Sequence, residues 1–363
     1  MRVLAAIAFL LAGCQSDPPA PAPRRYADIP KIDVHVHGPA ERASEAVRIF
    51  RERGVVLALN ASGGHPGREL AQSQAVLRAT EGRLRPYCNL DFGRVESPGF
   101  EAYARATIAA CRAEQAVGLK IFKSLGLGIV LSDGSLLAVD DSRLDVVFEA
   151  AGEHRLPVLI HTGDPQAFFR PNDGANERRA ELAAHPSWSF HGRRPDGPPW
   201  PSWEEVFAQL ERRVAHHPDV TFVGAHFGNA PEDPERVARM LDRNPRYVIE
   251  TGARIPEIGR HDAGRMRQFF MRYRDRVLFG TDFQMGRSGF VLGSAGAELD
   301  PPSRIPIFYD AHWRYFETND RRFAHPTPIQ GDWAIDGVGL PRDVLEAIYW
   351  RNAARVFDLE LPR

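Results

Sequence analysis

From residue 31 onward the chain repeats one unit, a short apolar run followed by a helical pattern. Eight strand candidates can be read, at 31–37, 55–60, 85–92, 116–122, 156–161, 220–226, 247–253 and 277–282. Helical patterns lie between most of them, at 41–53, 99–113, 144–153, 203–216 and 234–243. Parallel neighbours in a sheet need a long crossover, and a helix supplies it, so this alternation predicts a parallel sheet. Eight units predict an α/β fold closed as a (β/α)8 TIM barrel, which takes about 250 residues. The surplus falls after the fifth strand, at 164–202, and after the eighth, at 283–340. Both insertions follow strand C-termini, so both are expected as lids on the face where barrels carry their chemistry. One domain over 26–363 follows, without a second domain or an internal repeat.

The residues before it read differently. Arg2 precedes a continuous apolar run from Val3 to Leu11, and Leu11-Ala12-Gly13-Cys14 closes the segment. The run is too short for a permanent membrane span and reads as a signal segment over 1–14. Its end resembles the lipobox of bacterial lipoproteins, which implies lipidation of Cys14 after cleavage. Gln15 does not resemble the Asp signal for inner-membrane retention. The expected place is therefore the periplasmic face of the cell envelope, at the outer membrane. Residues 15–25 are Pro-rich and read as an extended tether. With a formal net charge of −1 and no basic stripe, nucleic acid is not an expected partner. Nothing in the pattern addresses oligomeric state.

A barrel strand buries one face against helices, so polar residues in strands should point inward, and those at strand C-termini should line the site. In Lys31-Ile-Asp-Val-His-Val-His-Gly38, His35 and His37 are two apart and share a face, with Val34 and Val36 expected opposite. The fifth strand ends on His161, the sixth on His226 and the eighth on Asp282. Four strands thus bring imidazoles and a carboxylate to one height, a donor set suited to a divalent metal. Asp33 is expected deeper on the same inward face.

These pieces together resemble the amidohydrolase superfamily, within it the amidohydrolase-related group (amidohydrolase family 2). The matching motifs are Asp33-Val-His35-Val-His37, His161-Thr-Gly-Asp, Gly-Ala-His226-Phe-Gly and Leu-Phe-Gly-Thr-Asp282. The closing Ile-Tyr-Trp-Arg-Asn352-Ala-Ala-Arg-Val-Phe357 is similar to the family's C-terminal helix. The resemblance implies that His35, His37, His161 and Asp282 hold one divalent metal, zinc or alternatively manganese. It implies that His226 is a further ligand or an acid/base group. Independently, a carboxylate beside the ion can accept a water's proton and return it to a leaving group, which makes Asp282 the expected proton carrier.

The chain has three lysines, and two of them, Lys120 and Lys123, stand at the end of the fourth strand. An ammonium is used there in a chain otherwise rich in arginine, which suggests substrate binding. A structural ion pair of Lys120 with Glu250 or Asp91 is the competing expectation. The resemblance adds a third, a carboxylated lysine bridging two metals. Arg254, after the seventh strand, is expected to grip a substrate carboxylate. Cys88 should face the helix layer near Cys111, where free buried thiols are favoured slightly over a bridge. Three functions are carried forward: a metal-dependent hydrolase of a small ester, lactone or amide; a decarboxylase (carboxy-lyase) of an aromatic or unsaturated acid; and a non-catalytic metal- or ligand-binding lipoprotein.

Overall fold

A computed structural model describes residues 26–195 and 197–362. Residues 1–25, expected to hold a signal segment, Cys14 and a tether, lie outside the described residues. The eight expected strands are all present: β1 Lys31–His37, β2 Val55–Asn60, β3 Leu84–Pro86, β4 Leu119–Ile121, β5 Val158–Ile160, β6 Phe222–Gly224, β7 Tyr247–Glu250 and β8 Val277–Leu278. Strands β1–β3 pair in parallel, as do β4–β8. Two seams close the ring. At the first, the backbone N–H of Cys88 donates to Gly118 and that of Lys120 donates to Cys88, both at 2.8 Å. At the second, Val34 N–H donates to Phe279 at 3.0 Å and Asp282 N–H to His35 at 2.8 Å. The result is the TIM barrel expected from the alternation.

Side-chain parity builds two cores. Val158, Ile160, Phe222 and Ile249 pack outward in the layer that holds Phe148, Phe207 and Leu210 of the helices. Leu57, Leu59, Leu159, Val223, Val248 and Leu278 fill the barrel interior, joined by Phe357 from the C-terminal helix. Asn352 anchors that helix by donating to the carbonyls of Arg274 and Val277, at the start of β8.

Strand β1 departs from simple alternation. Ile32 and Val34 belong to the interior core, and Val36 to the outer one. The pairing register with β2 shifts between Asp33 and Val36. Such a bulge resets the phase of the strand, so Val34 and His35 both face inward. Val34 is therefore not opposite the histidines, and Asp33 does not share their face. Its carboxylate instead accepts from the hydroxyl and N–H of Thr281, at 2.6 and 3.1 Å.

The strands are shorter than the apolar runs, because the chain bends away at their C-termini. After β6 the backbone turns left-handed at His226, where φ is +54°, and at Phe227, where it is +58°. The segment 283–340 carries more structure than expected: the strands β9 Phe283–Met285 and β10 Phe290–Leu292, the helix Arg304–Glu317 and a further short strand pair. The two insertions meet. His185 contacts the Ala295 carbonyl at 3.1 Å, and Ser294 hydrogen-bonds Glu181. Buried Arg178 pairs with Glu181 at 2.7 Å and with Glu257.

Cys88 and Cys111 correct the favoured expectation of free thiols. They form a disulfide, with Cα atoms 5.7 Å apart. The parity argument put Cys88 on the helix side, and the helix Phe100–Ala113 delivers Cys111 there.

Candidate metal centre

The polar residues at the strand ends form three triplets, two at the centre and a third, His35, His226 and Glu250, behind them. In the first, His35 Nε2 lies 3.2 Å from His37 Nε2, and Asp282 Oδ1 lies 3.8 Å from the former and 3.3 Å from the latter. In the second, His226 Nε2 faces His161 Nδ1 at 3.2 Å, and His161 Nε2 lies 2.5 Å from Asp164 Oδ1. Each triplet offers three ligand atoms within 4.8 Å of one another. The rings of His35 and His226, 5.0 Å apart, join the two. His161 thus sits with His226 and Asp164, not in the same triplet as His35, His37 and Asp282.

The hydrogen bonds behind these rings set which nitrogen carries the lone pair. Glu250 accepts from His35 Nδ1 at 3.0 Å, and the Gly252 carbonyl accepts from His226 Nδ1 at 2.8 Å. Both residues then present a bare Nε2 to the centre. His37 Nδ1 contacts Ser62 Oγ at 2.7 Å, and its Nε2 faces inward as well. Burial holds the His161 imidazole down to about 4 and pushes His226 well below its usual value, so both are neutral at pH 7. Burial works to raise the Asp282 carboxyl, but His35, His37 and Lys120 bring it down to about 2. Imidazoles beside an ionised carboxylate are a donor set that fits a divalent cation.

Glu250 and Asp164 are the residues sequence reasoning underweighted. In the sequence Glu250 reads as an inward-turned residue and only as a partner for Lys120. Asp164 stood in the quoted motif without a role. It takes the Arg254 guanidinium, with Nε at 2.6 Å and Nη2 also bonded. Arg254, expected to grip a substrate carboxylate, has Asp164 as its carboxylate partner here. A carboxylate as buried as Asp164 is costly unless paired, and Arg254, itself 5% exposed, is committed to it.

Lys120 points into the barrel as parity requires. Its Nζ lies 3.5 Å from His35 Nε2 and 5.4 Å from the Phe122 ring. No ion pair of Lys120 with Glu250 or Asp91 forms among the described residues, and Asp91 instead caps the N–H of Gly93. Lys123 Nζ sits over Phe168, Trp188 and Phe190, at 4.8, 5.6 and 5.7 Å. These rings from the first insertion cover a cation without neutralising it. Burial lowers both lysines to about 8. Left-handed backbone gathers here too: His226, Phe227, Asn229, Ala253 and Asp282 all have positive φ. Non-glycine residues seldom hold such angles, and they persist where surrounding structure forces them, as at functional sites.

Known proteins share this fold. The structure of 2,6-dihydroxybenzoate decarboxylase complexed with 2,6-dihydroxybenzoate is similar, with a TM-score of 0.52 and 14% identity over 91% of this chain and 99% of that one. A second 2,6-dihydroxybenzoate decarboxylase, from Rhizobium, is similar with a TM-score of 0.51 and 13% identity over 91% of this chain and 98% of that one. At such identities the likeness shows the fold. No curated protein sequence matches the chain. A family model described as amidohydrolase matches residues 32–359, which span all eight strands and all three triplets. The chain therefore belongs to the amidohydrolase family, whose members are enzymes that include hydrolases and decarboxylases.

Proposed function

We propose that the protein is a metal-dependent hydrolase that splits a small ester, lactone or amide with water. The observation that carries this reading is the convergence of His35 Nε2, His37 Nε2 and ionised Asp282 on one point. These three would hold a divalent ion, zinc or manganese, with His161 and His226 beside it. Zinc held there would polarise a carbonyl and lower the pKa of water to about 7. Asp282 would take the proton of the attacking water and return it to the leaving group. His226 serves as ligand or base: its Nδ1 proton is given to Gly252, so Nε2 accepts and does not donate. Lys120 and Lys123 are the cations left to orient an acidic substrate, since Arg254 is committed to Asp164.

Purified protein is expected to carry about one divalent ion per chain by elemental analysis. His35→Ala/His37→Ala should carry close to none, and a chelator should remove turnover. Equal metal content in wild type and variant would overturn the assignment. Bicarbonate released from an acidic substrate would overturn hydrolysis in favour of the carboxy-lyase reading. The second triplet, His161, Asp164 and His226, favours one further reading, a two-ion centre with Lys120 next to His35 of the first triplet. Two ions in wild type and one in Lys120→Met would establish it.

The proposed location is the periplasmic face of the outer membrane, through lipid on Cys14. The lipobox-like sequence supports it. Among the described residues no helix is long and apolar enough to cross a membrane. Membrane fractions should hold the wild type and release Cys14→Ser. Equal solubility of the two would sink the anchor.

A further inference from the structure

We infer that Glu250 is the positioning residue of the metal centre, the one group that sets the aim of His35 and the turn of His226 together. The inference rests on the reading of His35 as a ligand. Glu250 ends β7 and is fully buried, with no solvent to stabilise its charge. Its Oε1 accepts from His35 Nδ1 at 3.0 Å and from the backbone N–H of His226 at 2.6 Å. Its Oε2 accepts from the N–H of Gly252. Three donors from three strand ends therefore compensate one desolvated carboxylate.

The geometry separates this role from that of a ligand. Glu250 meets the Nδ1 edge of His35, while the ring's Nε2 faces His37, Asp282 and Lys120. A carboxylate behind a ligating imidazole fixes its tautomer and raises its basicity. The bond to His226 adds a second action. His226 has φ +54° and ψ +54°, a conformation that a β-carbon disfavours, and the carboxylate holds its N–H in that turn. One side chain thus ties the first triplet to the second.

Two glycines mark how tightly the carboxylate is held. A β-carbon at Gly280 would collide with Glu250 Oε2, and one at Gly252 would meet the same oxygen and crowd His35 Nδ1. Neither glycine has positive φ, so the requirement is space and not backbone freedom. Gly280→Ala should therefore displace Glu250 while leaving its charge in place.

The test reads tautomer and zinc affinity, neither of which needs a substrate. In metal-free wild type, ring nitrogen-15 shifts should show His35 protonated at Nδ1. An Nε2-protonated ring there would overturn the inference. Glu250→Gln and Gly280→Ala should each bind zinc about 10–100-fold more weakly, judged by chelator competition. Their far-ultraviolet circular dichroism should match wild type. Wild-type zinc affinity in a folded Glu250→Gln protein would overturn the positioning role. If wild type binds no zinc at all, the proposed function falls, and the His35 tautomer alone decides this inference.

Discussion

Asp282→Asn is expected to cut kcat by roughly 10²–10⁴-fold, the usual worth of a positioned proton carrier. The carboxylate follows β8 in a left-handed residue with φ +57°, held by its N–H bond to the His35 carbonyl. Its Oδ1 lies 3.3 Å from His37 Nε2, next to the proposed metal position, where it would take a proton from water. Asparagine keeps the size and loses the basicity. Metal content measured on the assayed sample, with saturating metal added, separates loss of ion from loss of base. A variant with full metal and near-normal kcat would remove the role. In the same assay Lys120→Met should raise KM for an acidic substrate more than it lowers kcat, because an ammonium that only orients charge acts on binding.

Breaking the Cys88–Cys111 bridge is expected to cost about 3 kcal/mol of stability, the chain-entropy value for a loop of this length. The cysteines are 23 residues apart in sequence. Reduction, or Cys88→Ser/Cys111→Ser, should lower Tm by several degrees. The loss should also reach the site. Cys88 N–H and C=O make the bonds that join β3 to β4 at a seam, and β4 carries Lys120. Thermal melts with and without reductant check the first part, and KM of the reduced protein checks the second. Identical melts, or two titratable thiols in untreated protein, would overturn the bridge. A stable disulfide would be kept in the oxidising compartment proposed above.

Much of the barrel was legible in the sequence for a physical reason. A parallel strand under helices must be apolar on its outer face, so Val158 and Ile160 frame an inward Leu159, and Phe222 and Gly224 frame Val223. His161, His226 and Asp282 interrupt those runs at the C-terminal ends, and a polar residue there has only the site to face. His35 and His37 were readable together because they are two apart, beyond the point where β1 changes phase.

What the sequence did not carry are matters of phase and partner. A bulge adds one residue to a strand without any compositional mark, so the reversal between Asp33 and His35 was invisible and Val34 was set on the wrong face. Partners from distant strands were equally hidden. The sequence determined which side chains reach the catalytic end. The tertiary structure decided how they group, with His161 beside His226 and Asp164, and Arg254 spent on Asp164. It also decided that Glu250 would stand behind His35. Pairing of this kind follows from which buried charge lies nearest which donor once water is excluded, and only the closed barrel fixes those distances.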